Sequence, residues 1–152
     1  MLFSSTINNV SFGKDVRIVE PVNIYDCDIA DNVFIGPFVE IQKGVTIGES
    51  TKIQSHTFIC ELVNIGEACF IGHGVVFIND KFEKGGPANA DKTLWRRTKV
   101  GNKVSIGSNA TILPVDICDF VVIGAGAVVT KDIIQQGVYA GNPAKKIKSI
   151  NL

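Results

Sequence analysis

Residues 29–77 read IADNVF-IGPFVE-IQKGVT-IGESTK-IQSHTF-ICELVN-IGEACF-IGHGVV-F. An apolar anchor occupies every sixth position without a slip, and it is isoleucine at each place except the last, Phe77. The residue four positions after each anchor is small or β-branched, as at Val33, Thr51 and Cys69. This period of six fits neither an amphipathic helix, whose period is 3.6, nor a two-sided strand, whose period is 2.

The same pattern extends in both directions from this stretch. It restarts downstream at Val100, Ile106 and Ile112, continues one residue out of phase at Ile117 and Ile123, and is weaker upstream at Phe12, Ile18 and Ile24. A period of six arises when a strand of about four residues is followed by a two-residue corner, and three such sides make a triangular coil of about 18 residues. The sequence therefore predicts one all-β domain over residues 1–152, a parallel β-helix of about seven coils that stack roughly 4.8 Å apart.

Composition excludes several classes of protein. The chain of 152 residues carries 15 Lys and Arg against 15 Asp and Glu, so it lacks the basic excess that drives nucleic-acid binding. Its apolar runs are too short to span a membrane, and the N-terminus lacks the features of a signal peptide. The four cysteines form no CxxC pair, which favours reduced thiols. We expect a cytoplasmic protein with neither nucleic-acid nor membrane partners.

The I-G-x-x-V-x hexads between residues 10 and 144 resemble those of the hexapeptide acyltransferases. That resemblance implies a left-handed helix, acyl transfer from acetyl-CoA, and a homotrimer with active sites between subunits. Outward aromatic residues at the sixth hexad place, Phe34, Phe58 and Phe70, are candidates for the trimer interface.

One long interruption, residues 79–99, reads NDKFEKGGPANADKTLWRRTK. Its six basic residues outnumber three acidic ones, and a loop of this length without periodicity is often functional. We predict a flap that meets a neighbouring subunit and binds a phosphorylated substrate through Lys81, Trp95, Arg96 and Arg97. The alternative is a solvated excursion whose Trp95 folds back onto the helix.

The C-terminal segment, residues 139–152, begins with YAGNPA, which resembles the Y-x-G-x-P-A signature of the family. In the family, the last coils and this segment hold coenzyme A. Small side chains at residues 125–127 would let a pantetheine arm approach the backbone, and Lys145 or Lys146 could meet its 3′-phosphate. The alternative is a tight corner followed by a solubilising tail. The predicted coenzyme residues are Gly107, Ser108, Ala125, Gly126, Ala127, Gly141, Asn142, Pro143, Lys145 and Lys146.

The stretches CFIGHGVVFINDKF and VGNKVSIGSNATILP resemble acetyltransferases that act on nucleotide-linked amino sugars. Members that acetylate hydroxyls carry a histidine near the start of the loop, where this chain has Asn79 and Asp80. An amine attacks a thioester without prior removal of a proton, so the predicted catalytic group is Asn79 and Asp80 with His73 as proton acceptor. His56, about one coil from His73, is a candidate for substrate binding; exposed corner histidines without a role are the alternative.

The sequence therefore predicts an acetyl-CoA-dependent N-acetyltransferase, without a metal, for a dTDP- or UDP-linked amino deoxy sugar used in surface polysaccharides. Three alternatives stay open. The first is an O-acetyltransferase with His73 as base. The second is a zinc protein like the γ-carbonic anhydrases, and the third is a β-helix without activity. Two histidines at unlike hexad places argue against the zinc protein.

Overall fold

A computed structural model describes residues 5–151 and shows a triangular prism of short parallel strands. The strands fall into three sheets, one on each face. The first face contains β1 Thr6–Asn8, β4 Asn23–Tyr25, β7 Glu40–Ile41, β10 Phe58–Ile59, β13 Val76–Phe77, β16 Thr111–Ile112 and β19 Val128–Val129. The second contains β2 Ser11–Phe12, β5 Asp28–Ile29, β8 Thr46–Ile47, β11 Val63–Ile65, β14 Thr98–Val100 and β17 Asp116–Ile117.

The third face contains β3 Arg17–Ile18, β6 Phe34–Ile35, β9 Lys52–Ile53, β12 Phe70–Ile71, β15 Ser105–Ile106, β18 Val121–Ile123, β20 Gly137–Ala140 and β21 Lys145–Lys148. Among the strands of residues 5–151, only β20 and β21 pair antiparallel. Each strand pairs with the strand of the same face one coil away, and the described chain completes seven coils. The predicted number of coils is confirmed.

The hexad anchors form the core of the prism. Register pairs anchor with anchor in neighbouring coils, for example Ile35 with Ile53 and Ile53 with Ile71. These isoleucines are fully buried, and so are Val33 and Val75, which lie four residues after an anchor. Burying an isoleucine contributes about 1.5–3 kcal/mol. Because an anchor is covered by the anchors above and below, the core is one continuous column.

Close stacking of the coils explains the glycines that follow several anchors. A Cβ built on Gly48 would lie 2.4 Å from the backbone carbonyl carbon of Gly66 in the next coil. Real Cβ atoms do not approach backbone so closely, so a side chain there would push the coils apart. Glycine at this place keeps the ladder spacing.

Buried polar groups within the prism are hydrogen-bonded across coils. The hydroxyl of Thr51 donates to the carbonyl of Gly66 at 2.9 Å, and that of Thr57 donates to the carbonyl of Gly72 at 2.9 Å. Both threonines are almost completely buried. A threonine can therefore stand where valine stands in other coils, since its hydroxyl has a partner.

Two corners of the prism carry the residues of functional interest. We call the corner that joins the third face to the first face of the next coil the closing corner. It contains residue pairs 37–38, 55–56, 73–74, 108–109 and 125–126. The corner from the first to the second face, the loop corner, contains residues 43–44 and 61–62. In the fifth coil the loop corner opens into the excursion, residues 78–97.

The excursion ends two residues earlier than the sequence predicts. Strand β14 begins at Thr98, whose side chain is 1% exposed and whose amide donates to the carbonyl of Leu62. Thr98 and Lys99 therefore belong to the second face. The one-residue loss of phase between Ile112 and Ile117 falls at the loop corner of the next coil, which is shorter by that residue.

Candidate functional site

The predicted site residues lie on two different edges of the prism. The closing corner carries the two histidines and the predicted coenzyme residues of coils six and seven. The loop corner carries Asn79, Asp80 and the basic residues of the excursion. The first-face strand Val76–Phe77 separates His73 from Asn79. Within one chain, the structure does not bring these two groups together.

At the C-terminal end of the closing corner, three successive layers of chain stack on one another. The amide of Gly126 donates to the carbonyl of Ser108 at 2.9 Å, and the amide of Val128 donates to the carbonyl of Gly141 at 2.9 Å. Ala144 closes the last layer with a 2.8 Å hydrogen bond from its amide to the carbonyl of Val128. The structure thus brings the predicted coenzyme residues of three separate sequence segments into one column.

Residues 125–127 differ from one another in exposure. Ala125 and Gly126 are exposed, and no atom lies within 4 Å of the position that a Cβ on Gly126 would take. Ala127 is fully buried, and its amide donates to the carbonyl of Gly124. Ala127 belongs to the core, so only Ala125 and Gly126 offer backbone to a ligand.

The C-terminal segment is a short hairpin on the third face. Strand Gly137–Ala140 continues the parallel sheet, and Lys145–Lys148 returns antiparallel to it. The turn between the strands contains the predicted residues Gly141, Asn142 and Pro143, all exposed. Lys145 is exposed directly after that turn, whereas the side chain of Lys146 lies over Gly137. Lys145 is therefore the better placed of the two lysines for a phosphate at this corner.

Both histidines are exposed on the closing corner. His73 is held by its backbone, whose carbonyl accepts the amide of Asn109 from the next coil. His56 lies one coil below that position, and its ring faces the ring of Phe38 with centroids 4.9 Å apart. The two histidines occupy adjacent coils, as the 17-residue spacing predicts.

The excursion is folded against its own prism. Asp80 and Trp95 form an antiparallel bridge, and the amide of Arg96 donates to the carbonyl of Asn79 at 2.8 Å. A 3-10 helix, Lys92–Leu94, precedes that bridge. The ammonium of Lys92 reaches Glu61 of the coil below at 2.8 Å and lies 5.1 Å from the centre of the Trp95 ring.

Asp80 organises the first half of the excursion. One carboxylate oxygen accepts the amide of Phe82 at 2.9 Å, and the other accepts the amide of Ala88 at 2.7 Å. With both oxygens occupied by backbone donors, this side chain acts as a structural acceptor in the free protein. The neighbouring side chain of Asn79 donates from Nδ2 to the carbonyl of Glu61 at 3.2 Å, which leaves its Oδ1 to meet a donor.

The two arginines of the excursion are held in exposed ion pairs. Nη2 of Arg96 lies 2.9 Å from Glu83, and Arg97 binds both carboxylate oxygens of Asp116. Together with Lys81, they line a cleft of about 270 Å³. Exposed pairs of this kind contribute little net stability, so their cations remain free to exchange a carboxylate for a phosphate.

Sequence reasoning missed the anionic partners of Lys92 and Arg97 and the aromatic partner of His56. Glu61 and Asp116 lie one coil below and one coil above the base of the excursion. Phe38 precedes His56 by 18 residues, which is one turn of the helix. The 18-residue spacing was the signal that could have identified Phe38.

The cysteines are unpaired and three of them are buried. Burial raises the pKa of Cys27 to about 11 and that of Cys60 to about 12, so neither ionises near neutral pH. Between residues 5 and 151, no group of three His, Cys, Asp or Glu side chains could hold a metal ion. No helix in that range is long and apolar enough to cross a bilayer.

The stacked six-residue sides and the single excursion define a hexapeptide-repeat β-helix. The model of the bacterial transferase hexapeptide (six repeats) matches residues 26–61, and that of the hexapeptide repeat of succinyl-transferase matches residues 97–131. Both models describe hexapeptide repeats, so the resemblance predicted from the hexads is confirmed, and so is the fold class predicted from the repeat.

Curated relatives include longer proteins. The bifunctional protein GlmU of Streptococcus uberis is 30% identical over 157 residues, which cover 95% of this chain and 34% of that protein. The GlmU of Clostridium acetobutylicum is 34% identical over 146 residues, covering 95% of this chain and 29% of that protein. The chain thus spans about a third of the length of these relatives.

Solved structures share the fold. A hexapeptide transferase family protein from Anaplasma phagocytophilum superposes with a TM-score of 0.74 at 21% identity, covering 93% of this chain and 80% of that one. A variant of a perosamine N-acetyltransferase from Caulobacter crescentus, in complex with CoA and GDP-perosamine, gives 0.61 at 21% identity over 93% and 56%. At these identities the likeness establishes the architecture.

Replacing Asp80 tests its structural role. We expect Asp80→Ala to speed tryptic cleavage after Lys81 and Lys84 by about tenfold or more, because two backbone amides lose their acceptor. The melting temperature should stay within about 2 °C, since the excursion lies outside the stacked coils. Limited proteolysis followed by mass spectrometry measures the effect, and Asp28→Ala, an exposed change on the second face, is the control. Unchanged cleavage in Asp80→Ala would contradict this role.

Proposed function

We propose that the chain is an acetyl-CoA-dependent N-acetyltransferase that acts on the amino group of a dTDP- or UDP-linked amino deoxy sugar. The observation that carries this proposal is the column of small residues at Ser108, Gly126 and Gly141, above His73 on the same corner, where Ser108 is half-buried and the two glycines are exposed. We further propose a cytoplasmic enzyme that supplies sugars for surface polysaccharides.

The closing corner fits the arm of a coenzyme. Gly126 leaves open space where another residue would have a side chain, and Ala125 beside it is exposed. A pantetheine chain is long, thin and rich in amides, so it can lie along such a bare corner. The exposed ammonium of Lys145 at the end of the column suits a phosphate group. The likeness to an acetyltransferase from Vibrio cholerae complexed with acetyl coenzyme A supports the same assignment.

A complete site requires two copies of the chain. The coenzyme column and His73 lie on one edge, and Asn79 lies on another, with the first face between them. We propose a homotrimer in which the excursion of one copy meets the closing corner of the next. Phe34, Phe58 and Phe70, which lie on the third and first faces at the two sides of that corner, would face neighbouring copies. Arg96 and Arg97 would then reach the diphosphate of the acceptor.

Direct attack by an amine accounts for the residues present. The amine nitrogen bonds to the thioester carbonyl carbon, the carbon–sulfur bond breaks, and the departing thiolate takes up one proton from the amine. Asn79 Oδ1 can accept a hydrogen bond from the amine and so orient its lone pair. His73, exposed at the same level of the prism, can pass the proton on.

Acetylation of a hydroxyl is the second candidate, because His73 is exposed and could serve as a base. A maltose O-acetyltransferase from Clostridium difficile shares the fold, with a TM-score of 0.60 at 24% identity. A hydroxyl acceptor would need its proton removed during the attack, so His73 would then be indispensable.

The deciding experiment is a thiol-release assay with acetyl-CoA. We expect turnover with at least one dTDP- or UDP-linked amino sugar, and none with the same nucleotide sugar bearing a hydroxyl in place of the amine. Mass spectrometry of the product should show an added acetyl group on nitrogen. Turnover restricted to hydroxyl acceptors would favour O-acetylation, and no thiol release with any acceptor would refute an acetyltransferase.

A bulky side chain at the coenzyme column should weaken acetyl-CoA binding. We expect Gly126→Leu to raise the KM for acetyl-CoA about tenfold or more, because leucine would occupy the open space on the corner. Gly44→Leu is the matched control, since Gly44 has a similar φ of 75° against 69° and equally open surroundings on the loop corner. Both variants carry the same backbone strain, so steady-state kinetics isolates the ligand contact. Equal KM values in the two variants would remove Gly126 from the site.

Two substitutions separate the amine mechanism from a histidine-driven one. We expect Asn79→Ala to lower kcat/KM by the equivalent of about 1–3 kcal/mol, the cost of an orienting hydrogen bond. His73→Asn should cost less than the hundredfold expected for an essential base. Kinetics at saturating acetyl-CoA measures both. Loss of turnover in His73→Asn with wild-type behaviour in Asn79→Ala would overturn the amine mechanism.

A further inference from the structure

Two exposed rings stack on the closing corner below the proposed site of acetyl transfer. The ring of Phe38 faces the imidazole of His56 at a centroid separation of 4.9 Å and an interplanar angle of 32°. Phe38 is 57% exposed, and His56 is also exposed. The pair therefore presents aromatic surface to the outside of the prism.

The fold does not account for a phenylalanine at this place. Phe38 has a φ of 60°, in the left-handed region that bulky residues rarely adopt. Higher in the same column the corner carries Gly74, Asn109 and Gly126, which adopt that region readily. Since more than half of the Phe38 side chain is exposed, the burial it gains is incomplete. The corner itself imposes this backbone, since His56 one coil higher has a φ of 64°. Neither the turn nor the core therefore requires an exposed ring at Phe38.

The distance between the two rings and His73 suits the nucleotide part of the acceptor. His56 lies one coil below Gly74, the neighbour of His73, and Phe38 lies one coil lower still. Two coil steps correspond to about 10 Å along the prism axis. If the sugar amine lies near His73, the ribose and the diphosphate of the acceptor would occupy the span between His73 and Phe38. The coenzyme column lies in the opposite direction along the same corner, so the two substrates would not compete for it.

We propose that Phe38 and His56 form a stacking platform for the nucleobase of the nucleotide-linked acceptor, an inference that rests on the proposed function. Stacking uses the π-face that every base has, and it gives little discrimination between bases. The platform therefore binds uracil and thymine nucleotides alike. Selectivity among acceptors arises from the sugar.

The test compares nucleotide binding with and without the ring. Isothermal titration calorimetry with UDP and with dTDP, in the absence of acetyl-CoA, should show affinity reduced about tenfold in Phe38→Ala. Phe38→Tyr, which keeps the ring, should retain wild-type affinity. Phe120→Ala is the matched control, because Phe120 has nearly the same φ of 59° but lies on the corner between the second and third faces, beside Lys103.

The kinetic arm uses the acceptor found in the thiol-release assay. Phe38→Ala should raise the KM for that nucleotide sugar about tenfold and leave the KM for acetyl-CoA unchanged. A rise in the KM for acetyl-CoA alone would assign the rings to the coenzyme and overturn the platform. Altered sedimentation of Phe38→Ala with wild-type nucleotide affinity would also overturn it, because the rings would then form a contact between copies.

The platform and the proposed function can fail separately. Ring-dependent binding of UDP and dTDP by a protein that acetylates no amino sugar would uphold the platform and refute the N-acetyltransferase. Acetylation of a nucleotide-linked amino sugar with equal KM in Phe38→Ala and wild type would uphold the enzyme and refute the platform.

Discussion

Stacking of each apolar anchor on the anchor of the next coil is the constraint on which this structure depends. A single coil cannot bury its own anchors, since Ile53 is covered only because Ile35 and Ile71 lie below and above it. Every face is therefore a ladder of fixed register, and every corner is a column of residues one coil apart. Residues far apart in sequence, such as Ser108 and Gly126, become neighbours through this geometry alone.

Two kinds of interaction hold the excursion, and they have different consequences. Asp80 binds backbone amides within the excursion and so determines its path. The ion pairs of Arg96 and Arg97 are exposed, and solvent screens them. Backbone geometry can thus persist while the guanidinium groups change partners, which is compatible with the proposed binding of a diphosphate.

The residues of the closing corner form a continuous column along the prism axis. Its upper part has small residues that expose backbone, its middle carries His73, and its lower part carries the stacked rings of Phe38 and His56. From top to bottom, these three parts correspond to the parts of the proposed reaction. They are a long thin acyl donor, the reacting centre and an acceptor with a planar base at its end. The loop corner lies across the first face, so Asn79 and the closing corner lie on separate edges of one chain.

The sequence by itself determined the repeat, the number of coils and the place where regularity stops, because a strict period of six leaves one way to bury each anchor. Burial of Ile29 through Phe77 follows that pattern without exception. Only the tertiary structure decided the contacts of the aperiodic segments. The sequence could not show that Asp80 binds the amides of Phe82 and Ala88, that Arg97 pairs with Asp116, or that Lys146 lies over Gly137. Those facts depend on contacts between coils and on the path of an aperiodic excursion, and local sequence carries no signal for either.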